Sequence, residues 1–147
     1  MIEPPAFGVA RGNPAVEELV ENVTRVRAQS ELTTEEFGRA FTEALGFERP
    51  VERVRPEILS AIESLRRERP PWEAEILFDR LRAVQTLVVS GGWSPALDAV
   101  CDVIEERLGA ERAVLPGCGH GAQHAPGFND RLVAFWEKPG SDPLEAD

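Results

Sequence analysis

The sequence predicts a mixed α/β fold in which a mostly helical stretch is followed by the closing strand–helix–strand–helix portion of a parallel sheet. Three observations predict it. From Asn13 to about Arg82 every strong signal is helical, the part from Trp72 onward being ambiguous. The period then changes at two short apolar runs, Thr-Leu-Val-Val at 86–89 and Arg-Ala-Val-Leu at 112–115, each followed by a helical pattern. Glycine or proline closes both runs, at Gly91-Gly92 and Pro116-Gly117.

The elements follow in order. Asn13 before Pro14 is a cap ahead of a proline at the first helical position, and Val16, Leu19, Val20, Val23 and Val26 form the apolar stripe behind it. Thr33 and Glu36 stand at capping-box spacing. They open a second helix with Phe37, Phe41, Ala44 and Leu45 on one face, which stops at Gly46. A third helix begins near Pro56, with Ile58, Leu59, Ile62 and Leu65 on one side, and Pro70-Pro71 ends it. Residues 72–82 carry no decisive period. A helix over about 95–108 joins the two strands, with Leu97, Val100, Cys101, Ile104 and Leu108 on its stripe; a last helix shows Phe128, Leu132, Phe135 and Trp136. Strands separated by a helix in this way pair in parallel. Two parallel strands make no stable sheet alone, so an upstream segment or another chain is expected beside them.

Length and composition bound the function. With 147 residues, 42% of them hydrophobic, the chain suits one domain with a real core. We divide it into a helical segment of about 8–82, a βαβα segment of about 83–138 and an acidic tail, 139–147. The formal net charge of −10 repels phosphate backbones, and no Lys/Arg stripe opposes it, so no nucleic-acid partner is expected. No apolar run approaches the roughly 20 residues of a membrane span, and Met1-Ile2-Glu3-Pro4-Pro5 is not a secretory signal. Cys101 and Cys118 form no CxxC pair and read as free thiols of a cytoplasmic protein. No metal and no cofactor is expected: His120 and His124 are four apart, but Gly119 and Gly121 oppose a helix there, and neither H-E-x-x-H nor G-x-G-x-x-G occurs.

Chemistry concentrates at one loop. In parallel sheets, ligands gather outside the carboxyl ends of the strands. His120 lies just there, in Leu-Pro-Gly-Cys-Gly-His-Gly at 115–121. Glycines on either side permit the sharp turn that would hold an imidazole over the sheet edge, and histidine is the natural general base near neutral pH. Spacing alone is equally compatible with an exposed loop histidine that has no task.

The blocks Leu87-Val88-Val89-Ser90-Gly91-Gly92, Ala113-Val114-Leu115-Pro116-Gly117-Cys118-Gly119-His120 and Phe128-Asn129-Asp130-Arg131-Leu132 resemble the end of an α/β-hydrolase. They look like its seventh strand, its eighth strand with the histidine loop, and its last helix. Glu3-Pro4-Pro5-Ala6 is similar to the exit of its sixth strand, and the helices between resemble its cap. The resemblance implies hydrolysis of an ester-like or related bond in a small-molecule substrate, with His120 as the triad's general base.

The resemblance also demands a nucleophile and an acid. In the family's chain order the serine elbow precedes both, which would put it upstream of Met1. Gly92-Trp93-Ser94-Pro95-Ala96 imitates an elbow, but Pro95 has no N–H to lend an oxyanion hole, and Ser94 reads better as an N-cap. Cys118, two residues before His120, reads as a structural thiol. Two carboxylates are candidates for the acid: Glu3, at the exit of the presumed sixth strand, and Asp98, one helical turn beyond the seventh, where solvated helix surface explains it as well. Trp72, Trp93 and Phe7 read as core residues that could also line a pocket. The expectation is therefore a truncated hydrolase, inactive as this chain alone. The alternative is a non-catalytic interaction module that pairs, or self-associates, through an exposed sheet edge.

Overall fold

The computed structural model describes residues 1–47 and 56–138; the expected acidic tail, 139–147, lies outside them. It is a mixed α/β arrangement of six α-helices and a two-stranded parallel sheet, with three short 3-10 turns between them.

Three of the helices begin where a side chain satisfies a first-turn N–H. In α1 (Pro14–Arg27), Asn13 accepts from the Ala15 N–H at 3.0 Å, and Val16, Leu19, Val20 and Val23 are buried. Helix α2 (Thr34–Ala44) starts with a complete capping box: the Glu36 N–H donates to Thr33 Oγ1 at 3.2 Å, and the Thr33 N–H donates to Glu36 Oε2 at 2.8 Å. Helix α3 (Pro56–Arg67) lies against α2 and is tied to α1 by Arg27. The Arg27 guanidinium donates to the carbonyls of Leu65 (2.5 Å), Arg66 (3.2 Å) and Glu68 (2.5 Å), which are free because no further helical turn follows them. The stretch without a decisive period, 72–82, holds only a 3-10 turn (Pro71–Glu73) and a single-turn helix, α4 (Phe78–Leu81), anchored by buried Phe78 beneath the Arg107 guanidinium.

Strands β1 (Leu87–Ser90) and β2 (Glu111–Val114) pair in parallel, from Leu87 opposite Glu111 to Ser90 opposite Val114, and α5 (Pro95–Leu108) connects them. Both strands differ by one residue from the apolar runs that announced them. The ladder ends where backbone partners end, with the Glu111 N–H on Thr86 O and the Leu115 N–H on Ser90 O, both at 2.8 Å. Charged Glu111 belongs to the strand because its side chain turns out to Arg131 and Lys138.

A third backbone line flanks β1. Ile2 bridges Val89 in parallel, the Val89 N–H donates to Met1 O, and the Glu3 N–H donates to Val89 O, both at 2.9 Å. Strand β1 is therefore interior and buried along its whole length. Strand β2 is less enclosed: Ala113 is buried, but Val114 is 52% exposed. Among the described residues β2 has no partner on its far side.

Side-chain alternation along β1 divides the core. Val88 joins α1, α5 and the 3-10 turn Phe7–Ala10 on one face, while Leu87 and Val89 pack with Phe128 and Phe135 of α6 (Phe128–Trp136) on the other. Helices thus cover both faces, as a parallel sheet requires. The carboxyl ends of the N-terminal segment, β1 and β2 open together at one edge.

Candidate functional site

Glu3 leaves the N-terminal segment with φ +38°, the one non-glycine residue with positive φ among those described. This turn carries its carboxylate inward, where the side chain is 1% exposed. A carboxylate taken from water needs a donor for each oxygen. The Gly91 N–H donates to Oε1 at 2.7 Å. The Trp93 indole Nε1–H straddles both oxygens, at 2.9 Å from Oε1 and 3.1 Å from Oε2. His120 Nδ1 completes the set, 2.6 Å from Oε2. The site joins three stretches of backbone: Glu3 from the N-terminal segment, Gly91 and Trp93 from the exit of β1, and His120 from the loop after β2.

The loops reach one another because glycine lets them. A Cβ on Gly91 would stand 2.2 Å from the Gly119 carbonyl oxygen, so the histidine loop rests directly on backbone there. Gly119 itself takes φ +53° immediately before His120. The imidazole is then walled by aromatic edges, with Phe47 and Trp93 both meeting it in T-shaped contacts at centroid distances of 5.9 and 6.1 Å.

A carboxylate only accepts, so the short Nδ1 contact places the imidazole proton on Nδ1 and leaves Nε2 with its lone pair in the neutral ring. The His120 side chain is 56% exposed and lines a cavity of about 560 Å³. The other walls are mostly apolar, including Phe7, Leu19, Val23, Phe41, Leu45 and Trp72. Phe7 serves both the core and the cavity, whereas Trp72 and Trp93 are only partly buried and present surface to it.

The other sequence candidates lie elsewhere. Asp98 makes no hydrogen bond to His120 among the described residues, nor is it simply solvated helix surface. Its Oδ1 accepts from Arg112 Nη2 at 3.0 Å and from Ser90 Oγ at 2.5 Å, tying the first turn of α5 to β2. Ser94 caps α5: its Oγ accepts from the Leu97 N–H at 3.5 Å, Pro95 follows, and the residue is buried. Cys118 is half-buried, and Cys101 is buried in the core, where burial pushes its thiol up to about 11. Among the described residues Glu3 is the one side-chain partner of His120 in a hydrogen bond, and no cluster of three or more His, Cys, Asp or Glu side chains suits a metal ion. No helix of the described residues is long and apolar enough to cross a membrane.

Sequence reasoning missed the two donors that hold Glu3. A signal for them exists: a Gly-Gly pair closing a strand, then a tryptophan, puts a backbone N–H and an indole N–H beside the exit of the neighbouring strand. Comparison with protein-family models, with curated proteins and with solved structures finds no match to this chain.

Proposed function

We propose that this chain carries the acid and base of a serine-type α/β-hydrolase-like site, Glu3 and His120, acting on an ester-like bond beneath the helical segment. The observation that carries the reading is the buried Glu3 carboxylate on Nδ1 of a histidine that borders an apolar cavity. In this reading a hydroxyl nucleophile donates its proton to Nε2 as its oxygen attacks the carbonyl carbon. Glu3 stabilises the resulting imidazolium, which then returns the proton to the departing alkoxide. Water repeats the sequence on the acyl intermediate. Ser94 is spent on its helix cap and Ser90 Oγ donates to Asp98, so neither supplies that hydroxyl; in this reading it comes from another segment, and the chain alone is inactive.

The test has two arms. The chain and its His120→Ala variant are assayed with 4-nitrophenyl butyrate, and neither is expected to exceed the buffer rate; turnover abolished by the substitution would overturn the claim of inactivity. Then the reading frame upstream of Met1 is translated and any strand followed by Gly-x-Ser-x-Gly is co-expressed with this chain. His120-dependent hydrolysis supports the proposal, and its absence overturns the hydrolase reading.

The second reading, a non-catalytic module joined through a sheet edge, is favoured by the 42% exposure of Ile2 on the segment beside β1. Sizing chromatography of the same sample decides on self-pairing: concentration-dependent dimers favour it, and a monomer throughout counts against it.

A further inference from the structure

The cavity's polar atoms define what it can hold. Its volume, about 560 Å³, falls within the roughly 300–1,000 Å³ of small-molecule sites. Of the charged groups along it, most are already committed. Both Glu3 oxygens are occupied by Gly91, Trp93 and His120, and the Trp93 indole N–H is consumed by the same carboxylate. The Arg27 guanidinium points its donors at three carbonyls. Arg69, 84% exposed, bonds Glu73, and Glu68 is exposed as well, so neither offers a buried counter-charge. His120 Nε2 remains, on the far side of the ring from Glu3 and without a hydrogen bond among the described residues. In the neutral ring, with its proton on Nδ1 toward Glu3, Nε2 accepts and does not donate.

We propose that the cavity is a binding site for neutral, largely aromatic or aliphatic alcohols and phenols, whose hydroxyl donates to His120 Nε2 while the carbon skeleton lies among Phe7, Phe41, Leu45, Trp72 and Trp93. The inference shares with the proposed function only the Glu3–His120 contact; binding needs no nucleophile. A carboxylate analogue is disfavoured twice over. It would shed its hydration against apolar walls, and it would face a lone pair where it needs a donor. An ether of the same shape keeps the apolar contacts and loses the hydrogen bond, leaving Nε2 unpaired beneath it.

The chain contains three tryptophans, two lining the cavity and one, Trp136, 70% exposed on α6, so their indole N–H resonances report binding by position. The uniformly 15N-labelled chain is titrated near neutral pH with 2-naphthol, 2-methoxynaphthalene and 2-naphthoate. The expected result is that 2-naphthol shifts the Trp72 and Trp93 signals, leaves Trp136 in place, and binds about tenfold or more tighter than either analogue. In His120→Phe the preference for 2-naphthol over the ether disappears. Equal binding of alcohol and ether, tighter binding of the carboxylate, or shifts led by Trp136 would each overturn the proposal. The ligand series on the unsubstituted chain decides the matter even where the variant fails to fold. Alcohol-selective binding without reconstituted hydrolysis sinks the hydrolase reading alone, while hydrolysis without alcohol selectivity sinks this one.

Discussion

Two donors beside β1, the Gly91 N–H and the Trp93 indole N–H, make the buried Glu3 carboxylate tolerable, and their removal separates their contributions. Trp93→Phe keeps an aromatic ring, though a smaller one, and deletes one donor to a charged acceptor, which costs about 1.5 kcal/mol. Glu3→Ala strands both donors and empties the space of the side chain, a loss of about 3 kcal/mol. Urea unfolding of the two variants should preserve that order; equal losses would mean that the carboxylate draws its support from elsewhere. At this scale the sequence is only partly legible. Ser94 announces its role because a cap and its helix are neighbours in the chain, and Leu97 lies three residues away. Asp98 misleads for the opposite reason: its partner Arg112 lies fourteen residues on, across a helix and into a strand, where no local pattern can show it. The meeting of Glu3 and His120 is visible beforehand only through the resemblance of their two loops to a known fold, since composition and spacing relate no residues that far apart.

Elements are where the sequence speaks most clearly. Helices α1, α2 and α5 begin at the caps their side chains advertise, because capping is a contact within one turn. The strands slip by one residue because their ends depend on a neighbour's backbone rather than on their own hydrophobicity. The clasp between α1 and α3 is likewise hidden, since Arg27 reads as an ordinary charge on a solvated face. Replacing it with methionine keeps most of the aliphatic stem and removes the three carbonyl contacts and the positive charge at the end of α3. We expect a loss of about 1–2 kcal/mol, concentrated in α3. Amide hydrogen exchange is the measurement: α3 should exchange faster while α5 keeps its protection, and a uniform acceleration would count against a local clasp.

Across the whole molecule, one buried thiol leaves a readable mark on stability. Burial in the core raises the Cys101 thiol to about 11, with the nearby Arg112 opposing the shift. Above the ordinary thiol value the unfolded chain gives up its proton and the folded one holds it, so stability falls as pH rises towards 11 and flattens beyond. The expected loss is on the order of 2 kcal/mol. Few other groups share the window, since the chain has no tyrosine and a single lysine, Lys138, leaving the second cysteine and the α-amino group. Urea unfolding between about pH 8 and 11 should show the decline, and Cys101→Ala should remove that component; an unchanged slope in the variant would assign the decline to net charge instead. Molecular scale also gives the Glu3–His120 contact a kinetic meaning. It joins positions 117 apart, so it closes a ring containing nearly every other residue described, and ring closure of that length is an entropic debt that local helices cannot help to settle. Helix formation can run ahead in microseconds, but this hydrogen bond waits until the first residues and the histidine loop have both docked on β1. The imidazole is thus a latecomer in folding, and its tautomer is set only once two segments 117 positions apart have met.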